Sequence, residues 1–432
     1  MVKRSEVFGW AMYDFANSSF TTAIVTVYYA QYFPAVIVGD APDYRLGNLL
    51  WSVTLSVSYF LTVLTLPLLG AWMDAAGSKK RFLLASTIVT VVASASLGCA
   101  GPGAVALAML LVIVANYGFS IGESFVASFL PHLGPPEALG RISGTAWSLG
   151  YFGGLLSTAL VLFGLGPPTA DNPAARFAGP VIALWFGLAA VPTFALLREP
   201  ARASDAPVAR GALLDGFSRL ATTAREIARY RDLALFLLSY LFAMAGLSIV
   251  ITFAFIYGSQ VIHWSASTQA AMFGITQLTA ALGALGFGWL QGRIGDKRTY
   301  AITLVVWCAA VALIWATPAV SNMIHELLEI ELSTEQVFLG VGAASGLCIG
   351  ATQSAGRTIV ALLSPPSKVG EFFGLWGVFG KLAAIAGLLA VGALQAVVGL
   401  EYGILVTGAF FLLGLLTVSS VDMHRGRAAA SG

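Results

Sequence analysis

The sequence predicts an all-α membrane protein, with twelve transmembrane helices in two six-helix bundles and both termini cytoplasmic. Three observations carry this expectation. Of 432 residues, 58% are hydrophobic and only 10% charged, with a mean hydropathy of +0.83, whereas a soluble domain carries about 25% charged residues. Apolar stretches of roughly 20 residues, the length that crosses a bilayer core, recur along the whole chain. The basic residues fall on alternate connections between those stretches.

The apolar stretches place spanning helices near 8–33, 48–72, 82–100, 104–131, 142–165 and 178–197. Six more follow near 232–260, 269–291, 300–318, 336–363, 372–395 and 402–421. The first opens at Gly9 with GWAMYDFANSSF, where a charge sits among apolar residues. At helical spacing Asp14, Asn17, Ser18 and Thr21 share one face. An ionisable residue in a spanning helix is costly unless it faces a bundle interior or a wet cavity, which makes Asp14 a candidate functional residue. The other reading is that Asp14 lies close enough to the helix start to favour the dipole. Lys3 and Arg4 precede this helix and no small-residue cleavage site follows it, so it reads as a retained first span.

Charge sets the expected orientation. Lys79, Lys80, Arg81, Arg141, seven arginines between Arg198 and Arg231, then Arg293, Lys297, Arg298, Lys368, Arg425 and Arg427 share one side, which the positive-inside rule makes cytoplasmic. The other side holds only Arg45 and Arg176, and an acidic run of Glu326, Glu329, Glu331 and Glu335. That run is expected to form a short helix or lid over 323–332. The stretch 198–231 separates an N-terminal bundle, 1–197, from a C-terminal bundle, 232–432. Within it Leu213, Phe217, Leu220, Ala224 and Ile227 form an apolar stripe opposite Arg219, Arg225 and Arg229, the pattern of an amphipathic helix lying on the inner membrane surface.

The two halves repeat. Gly70, Asp74, Gly77, Lys79 and Lys80 after the second span are echoed by Gly288, Gly292, Gly295, Lys297 and Arg298 after the eighth, 218 residues on. GPPEALGRISG from Gly134 is echoed by SPPSKVGEFFG from Ser364, 230 residues on. Parallel repeats of six helices mark a two-bundle transporter with its binding site at the midplane between the halves.

The motif G-x-x-x-D-x-x-G-x-K-K at Gly70 resembles the loop signature of the major facilitator superfamily, with Ala75 where a basic residue is usual. The resemblance implies a structural role: Asp74, Lys79 and Lys80 hold the cytoplasmic ends of the bundles together, with Gly70 and Gly77 shaping the turn. Gly288, Gly295 and Arg141 belong to the corresponding gating positions, and Gly292 replaces the acid in the second copy. Together GWAMYDFANSSF, GATQSAGRTIVALLSPP from Gly350 and EFFGLWGVFGK from Glu371 resemble the autophagy-related vacuolar effluxer-like branch, whose fungal members are associated with amino-acid export from the vacuole. Ala245-Gly246 and Ala127 depart from that branch's usual residues.

Of 23 basic and 21 acidic residues, four fall clearly inside expected spans: Asp14 and Glu123 in the first half, Arg357 and Lys381 in the second. Two readings stand side by side. In one, Arg357 and Lys381 hold an anionic group of the cargo, Arg357 through a bidentate fork, while Asp14 or Glu123 holds an ammonium or carries a coupling proton. In the other, acids pair with bases to close an inner gate. Asn17 and Gln353, one turn from Asp14 and Arg357, join the candidate substrate-binding set. Glu123, flanked by Ile121 and Phe125, is the first candidate for proton coupling, because burial raises the pKa of an acid.

No enzyme is expected: no nucleophile, base and orienter come together. Cys99, Cys308 and Cys348 are far apart and the four histidines lack ligand spacing, so no metal, disulfide or other cofactor is expected. The near-neutral net charge of +2 gives no reason to expect nucleic acid. The expected partners are a small-molecule substrate, a proton and the lipid bilayer, for a monomer in the cell (inner) membrane. The expected function is secondary active transport of a small polar or zwitterionic solute, an amino acid first of all. Efflux of amphipathic compounds and a non-transporting sensor on the same scaffold are the alternatives.

Overall fold

The computed structural model describes residues 3–39, 44–200, 230–328, 332–398 and 400–431. Among these residues every regular element is helical, because in hydrocarbon a segment must satisfy its backbone polar groups internally. The long helices are α1 (Arg4–Ser19), α2 (Arg45–Ala76), α3 (Lys79–Ser96), α4 (Val105–Ala127), α5 (Pro136–Leu165) and α6 (Ala178–Leu196). They continue with α7 (Arg231–Tyr257), α8 (Ala266–Ile294), α9 (Asp296–Leu328), α10 (Thr334–Leu363), α11 (Val369–Val398), α12 (Val406–Ser419) and α13 (Met423–Ser431). Among the described residues eleven stretches are long and apolar enough to cross a membrane, or twelve when bent α12 and α13 count as one. The twelve spans expected from the sequence lie within that range.

Most spans run past the bounds that hydropathy alone suggests. Polar residues extend the helices at their ends, where caps rather than apolar runs decide the limit. Gly77 ends α2 in the left-handed region, at φ 59°, with its N–H returned to the Met73 and Asp74 carbonyls, a conformation natural to glycine. A capping box of Ser333 and Gln336 opens α10. The first span is not one regular helix: beyond Ser19 it widens into π-helical turns at Phe20–Val27 and Phe33–Val38.

One expectation needs amendment. Of the short helix or lid expected over 323–332, the part up to Leu328 belongs to α9, which runs unbroken through Pro318 to Leu328, so Met323 and Glu326 lie in its last turns. Proline is tolerated inside a spanning helix because neighbouring groups take up the freed carbonyl, and hydropathy marks the membrane limit rather than the helix limit. Glu329 and Glu331 lie outside the described residues, as does the amphipathic stripe of 213–227. The tail, by contrast, is ordered into a helix: α13 follows Asp422, whose carboxylate accepts from the amides of His424 and Arg425.

Contacts divide the chain into two compact units: Met1–Pro135, Leu149–Ala224 and Pro366–Val378 in the first, Pro136–Ser148, Arg225–Pro365 and Phe379–Gly432 in the second. The opening half of α5 thus packs with the second unit and the opening third of α11 with the first. Within each unit aromatic and small residues interlock. Trp10 donates to the Val126 carbonyl in the first; in the second Trp307 donates to Thr352 and stacks on Phe411 with 5.0 Å between centroids. Outward-facing leucines such as Leu64, Leu188 and Leu282 stay more than half exposed, as lipid-facing positions do.

The units share one device at their helix ends. In the first, Glu6 of α1 pairs with Arg198 at 3.2 Å, and Lys80 of α3 donates to the Leu197 carbonyl that ends α6. In the second, Asp232 of α7 takes both Nε and Nη2 of Arg425 at 2.7 Å, and Lys297 of α9 donates to the Ser419 and Val421 carbonyls that end α12. Cations at helix C-termini satisfy orphan carbonyls and suit the dipole. Asp232 is almost fully buried while Arg425 is half exposed. Arg425→Gln is therefore expected to lower the melting temperature in detergent, and Asp232→Asn in the same chain to recover part of the loss, because an unpaired buried carboxylate is the costly species.

Candidate functional site

In the first unit the expected acids converge on one aromatic side chain. Asp14 follows Tyr13 on α1 and Glu123 follows Gly122 on α4, and both acids are half-buried. The Tyr13 hydroxyl meets Thr87 of α3 at 3.1 Å and lies against Gly122 of α4, where a Cβ would approach it to 2.6 Å. Asn17 is 6% exposed and its Oδ1 has no hydrogen-bond partner. Just beyond, Gly150 and Gly153 of α5 seat on the backbone of Asp14 and Phe15, the close approach that small residues permit in membranes. Asn116, another polar residue of α4, donates to Ser58 of α2, so it serves helix packing.

In the second unit Arg357 is 2% exposed. Its Nε donates to Ser143 Oγ and its Nη2 to the Ser143 carbonyl, each at 3.1 Å. Ser143 in turn donates to the Ser354 carbonyl at 3.0 Å, and the guanidinium lies 5.3 Å from the Trp147 ring, within cation–π range. Gln353 and Lys381 are half-buried in the same unit, and a Cβ on Gly380, beside Lys381, would lie 3.8 Å from the Tyr240 hydroxyl. The structure therefore brings Asp14 and Glu123 to one neighbourhood and gives Arg357 a polar surrounding of its own.

The motif positions are also built. Asp74 Oδ2 accepts from the Glu371 amide at 3.0 Å, in the first turn of α11, where negative charge suits the helix dipole. Lys79, 7% exposed, sits 3.7 Å from Asp74 and donates to the Ser128 carbonyl. Gly70 presses on the Gly370 carbonyl, and a Cβ there would overlap it. The second copy repeats the glycine contact but not the charge: a Cβ on Gly288 would come within 2.7 Å of the Gly140 carbonyl, while exposed Gly292 stands in the acid's place. Gln291, 3% exposed and with neither amide atom hydrogen-bonded, fills the space against Gly140. Exposed Arg141 follows Gly140, and Gly295 ends α8 with φ 89°.

A family model described as vacuole effluxer Atg22 like matches residues 50–431. The chain belongs to this Atg22-like family. The chain is 25% identical over 418 residues to an uncharacterized MFS-type transporter, YxiO, of Bacillus subtilis, covering 95% of this chain and 92% of that protein. It is 24% identical to autophagy-related protein 22 of Cryptococcus neoformans across 66% of its own length, spanning 51% of the fungal protein. Among solved structures the human organic anion transporter MFSD10 (TETRAN) superposes with TM-score 0.71 at 20% identity, over 96% of this chain and 99% of that one, a likeness of fold. Atg22-like membership makes the chain a multi-pass major facilitator transporter that works by alternating access, not an enzyme.

Sequence reading assigned no role to Ser143, Ser128 or Glu371, whose parts are played by a hydroxyl, a carbonyl and an amide that any residue pattern hides. One signal was present. Gly122-Glu123-Ser124-Phe125-Val126-Ala127 of α4 aligns with Gly356-Arg357-Thr358-Ile359-Val360-Ala361 of α10, 234 residues on. Gly122 seats Tyr13 of α1, and Gly356 seats Tyr240 of α7. Glu123 and Arg357 thus occupy equivalent places in the two repeats, with opposite charge.

Proposed function

We propose that this Atg22-like protein is a secondary active transporter of a small polar or zwitterionic solute, an amino acid first of all, with a proton moving in the same cycle. The observation that carries this reading is the presence of ionisable groups of both signs within spanning helices at equivalent repeat positions, Glu123 and Arg357. A zwitterion needs one partner of each sign. Arg357 serves its carboxylate, through a fork that fits two oxygens; Asp14 serves its ammonium, with Asn17 and Gln353 supplying neutral hydrogen bonds and Lys381 a second positive charge. Glu123 carries the proton, because an intramembrane carboxylate with apolar neighbours is the kind of group that relays protons in transporters. Asp74, Lys79, Lys80, Arg141 and the glycines at 70, 77, 288 and 295 act in gating. The protein works as a monomer in the cell membrane.

Counterflow in proteoliposomes tests this. Purified protein is expected to exchange a labelled amino acid from a panel that also holds small peptides, sugars and organic anions. Arg357→Gln is expected to slow that exchange about tenfold or more, the worth of a charged hydrogen bond of roughly 1.5–3 kcal/mol. Exchange of sugars or amphipathic compounds alone, by a folded protein, would overturn the amino-acid reading.

A further inference from the structure

Ser143 lies in the repeated segment GPPEALGRISG, but the sequence pattern gives it no role. It is fully buried, one residue before Gly144, on the opening half of α5. Its hydroxyl is saturated: it donates to the Ser354 carbonyl at 3.0 Å and accepts from Arg357 Nε at 3.1 Å, with Ser354 Oγ at 3.2 Å. Its carbonyl accepts Arg357 Nη2 as well. Ser143 thus offers the guanidinium two oxygens, hydroxyl and carbonyl, to adjacent edges of the planar fork. A carboxylate presents the same two-acceptor pattern to the same donors.

We infer that Ser143 is a positioning residue that mimics the anionic group of the cargo, so that Ser143 and cargo compete for Arg357. This rests on the reading of Arg357 as the cargo's carboxylate partner. The chemistry is asymmetric in a useful way. A buried guanidinium needs acceptors, and Ser143 supplies two of them while cargo is absent. A hydroxyl and a carbonyl are neutral, and a carboxylate displaces them because charge-assisted hydrogen bonds are roughly twice as strong as neutral ones. The exchange also couples cargo to the backbone: when Arg357 turns to a carboxylate, the opening half of α5 loses the two bonds that Arg357 of α10 gives it. What remains there is the Ser143–Ser354 pair and the glycine contact of Gly140 and Gly144 with α8, beside the unpartnered Gln291 amide.

The test uses the full-length protein in proteoliposomes, with the native cysteines replaced and Gln291→Cys as a reporter covered by the opening half of α5. N-ethylmaleimide labelling is timed with and without a mixture of the common amino acids, and counterflow gives the half-saturating concentration. In this background Ser143→Ala is expected to label about tenfold faster without amino acids, and to need a several-fold lower concentration of them for half-saturation. Ser143→Thr, which keeps the hydroxyl, is expected to restore both values. Unchanged labelling in Ser143→Ala overturns the hold on Arg357. Faster labelling with unchanged half-saturation overturns the competition and leaves Ser143 a structural contact. If no chain exchanges any amino acid, the proposed cargo fails and the competition with it, while the labelling rates still decide whether Ser143 holds α5.

Discussion

Gly144→Val is expected to abolish solute exchange in a protein that still inserts and purifies. A Cβ at Gly144 would overlap the Ala284 carbonyl of α8 and come within 3.1 Å of the Gly288 Cα. Both are backbone atoms of a helix, so neither can turn aside as a flexible side chain would. Overpacking ordinarily costs about 1–3 kcal/mol, occasionally more, and here relief comes only by lifting the opening half of α5 from α8. That movement also strips Arg357 of Ser143, the residue just before Gly144. Counterflow should fall to background, and the thiol of the Gln291→Cys reporter should label rapidly. Gly144→Ala carries the same overlapping Cβ without the added methyls and should show the same defect in milder form. Normal exchange by Gly144→Val would show that α5 and α8 need not meet for transport.

Asp74→Asn is the second large effect. Asparagine keeps the shape and still accepts from the Glu371 amide, so what is lost is the charge. Lys79 then stays buried with no counter-ion at 3.7 Å, and the first turn of α11 loses the anion that suits its dipole. Breaking a buried pair from one side costs roughly 3–5 kcal/mol, and about 3 kcal/mol corresponds to a hundredfold change in an equilibrium constant. Ser124, covered near Gly377 of α11, provides the readout as Ser124→Cys: its labelling should accelerate by about that factor in Asp74→Asn. Adding Lys79→Met should slow it again, because removing both charges leaves nothing uncompensated. Labelling that the charge does not affect would assign Asp74 to the shape of the turn alone.

The parts of this protein that follow from local chemistry were legible in the residues. Apolar runs dictate spanning helices, since hydrocarbon tolerates no open backbone, and Asp14, Glu123, Arg357 and Lys381 stand out because charge is rare there. Gly70, Asp74 and Lys79 were likewise readable as a turn motif. Other features needed coordinates. The end of α9 was placed near 318 because Pro318 and the polar Ser321 and Asn322 interrupt the apolar run there, while helix-forming residues continue to Leu328. The tail helix α13 was missed because its stabilising partners, Asp232 and Asp296, are 193 and 131 residues away from Arg425 and Arg427.

The sequence by itself determined that the chain is a repeated, twelve-span major facilitator protein whose intramembrane acids, Asp14 and Glu123, lie in one half and whose intramembrane bases, Arg357 and Lys381, lie in the other, because composition, length and spacing act through the solvent each residue prefers. Only the tertiary structure decided which backbone atom each charge meets. Arg357 lies on Ser143, Asp74 on the Glu371 amide and Lys79 on the Ser128 carbonyl, and in each case the partner is a main-chain group or a hydroxyl. Every residue carries a main chain, so no pattern of side chains could have named these ones; the close approach of helices at glycine is what selects them.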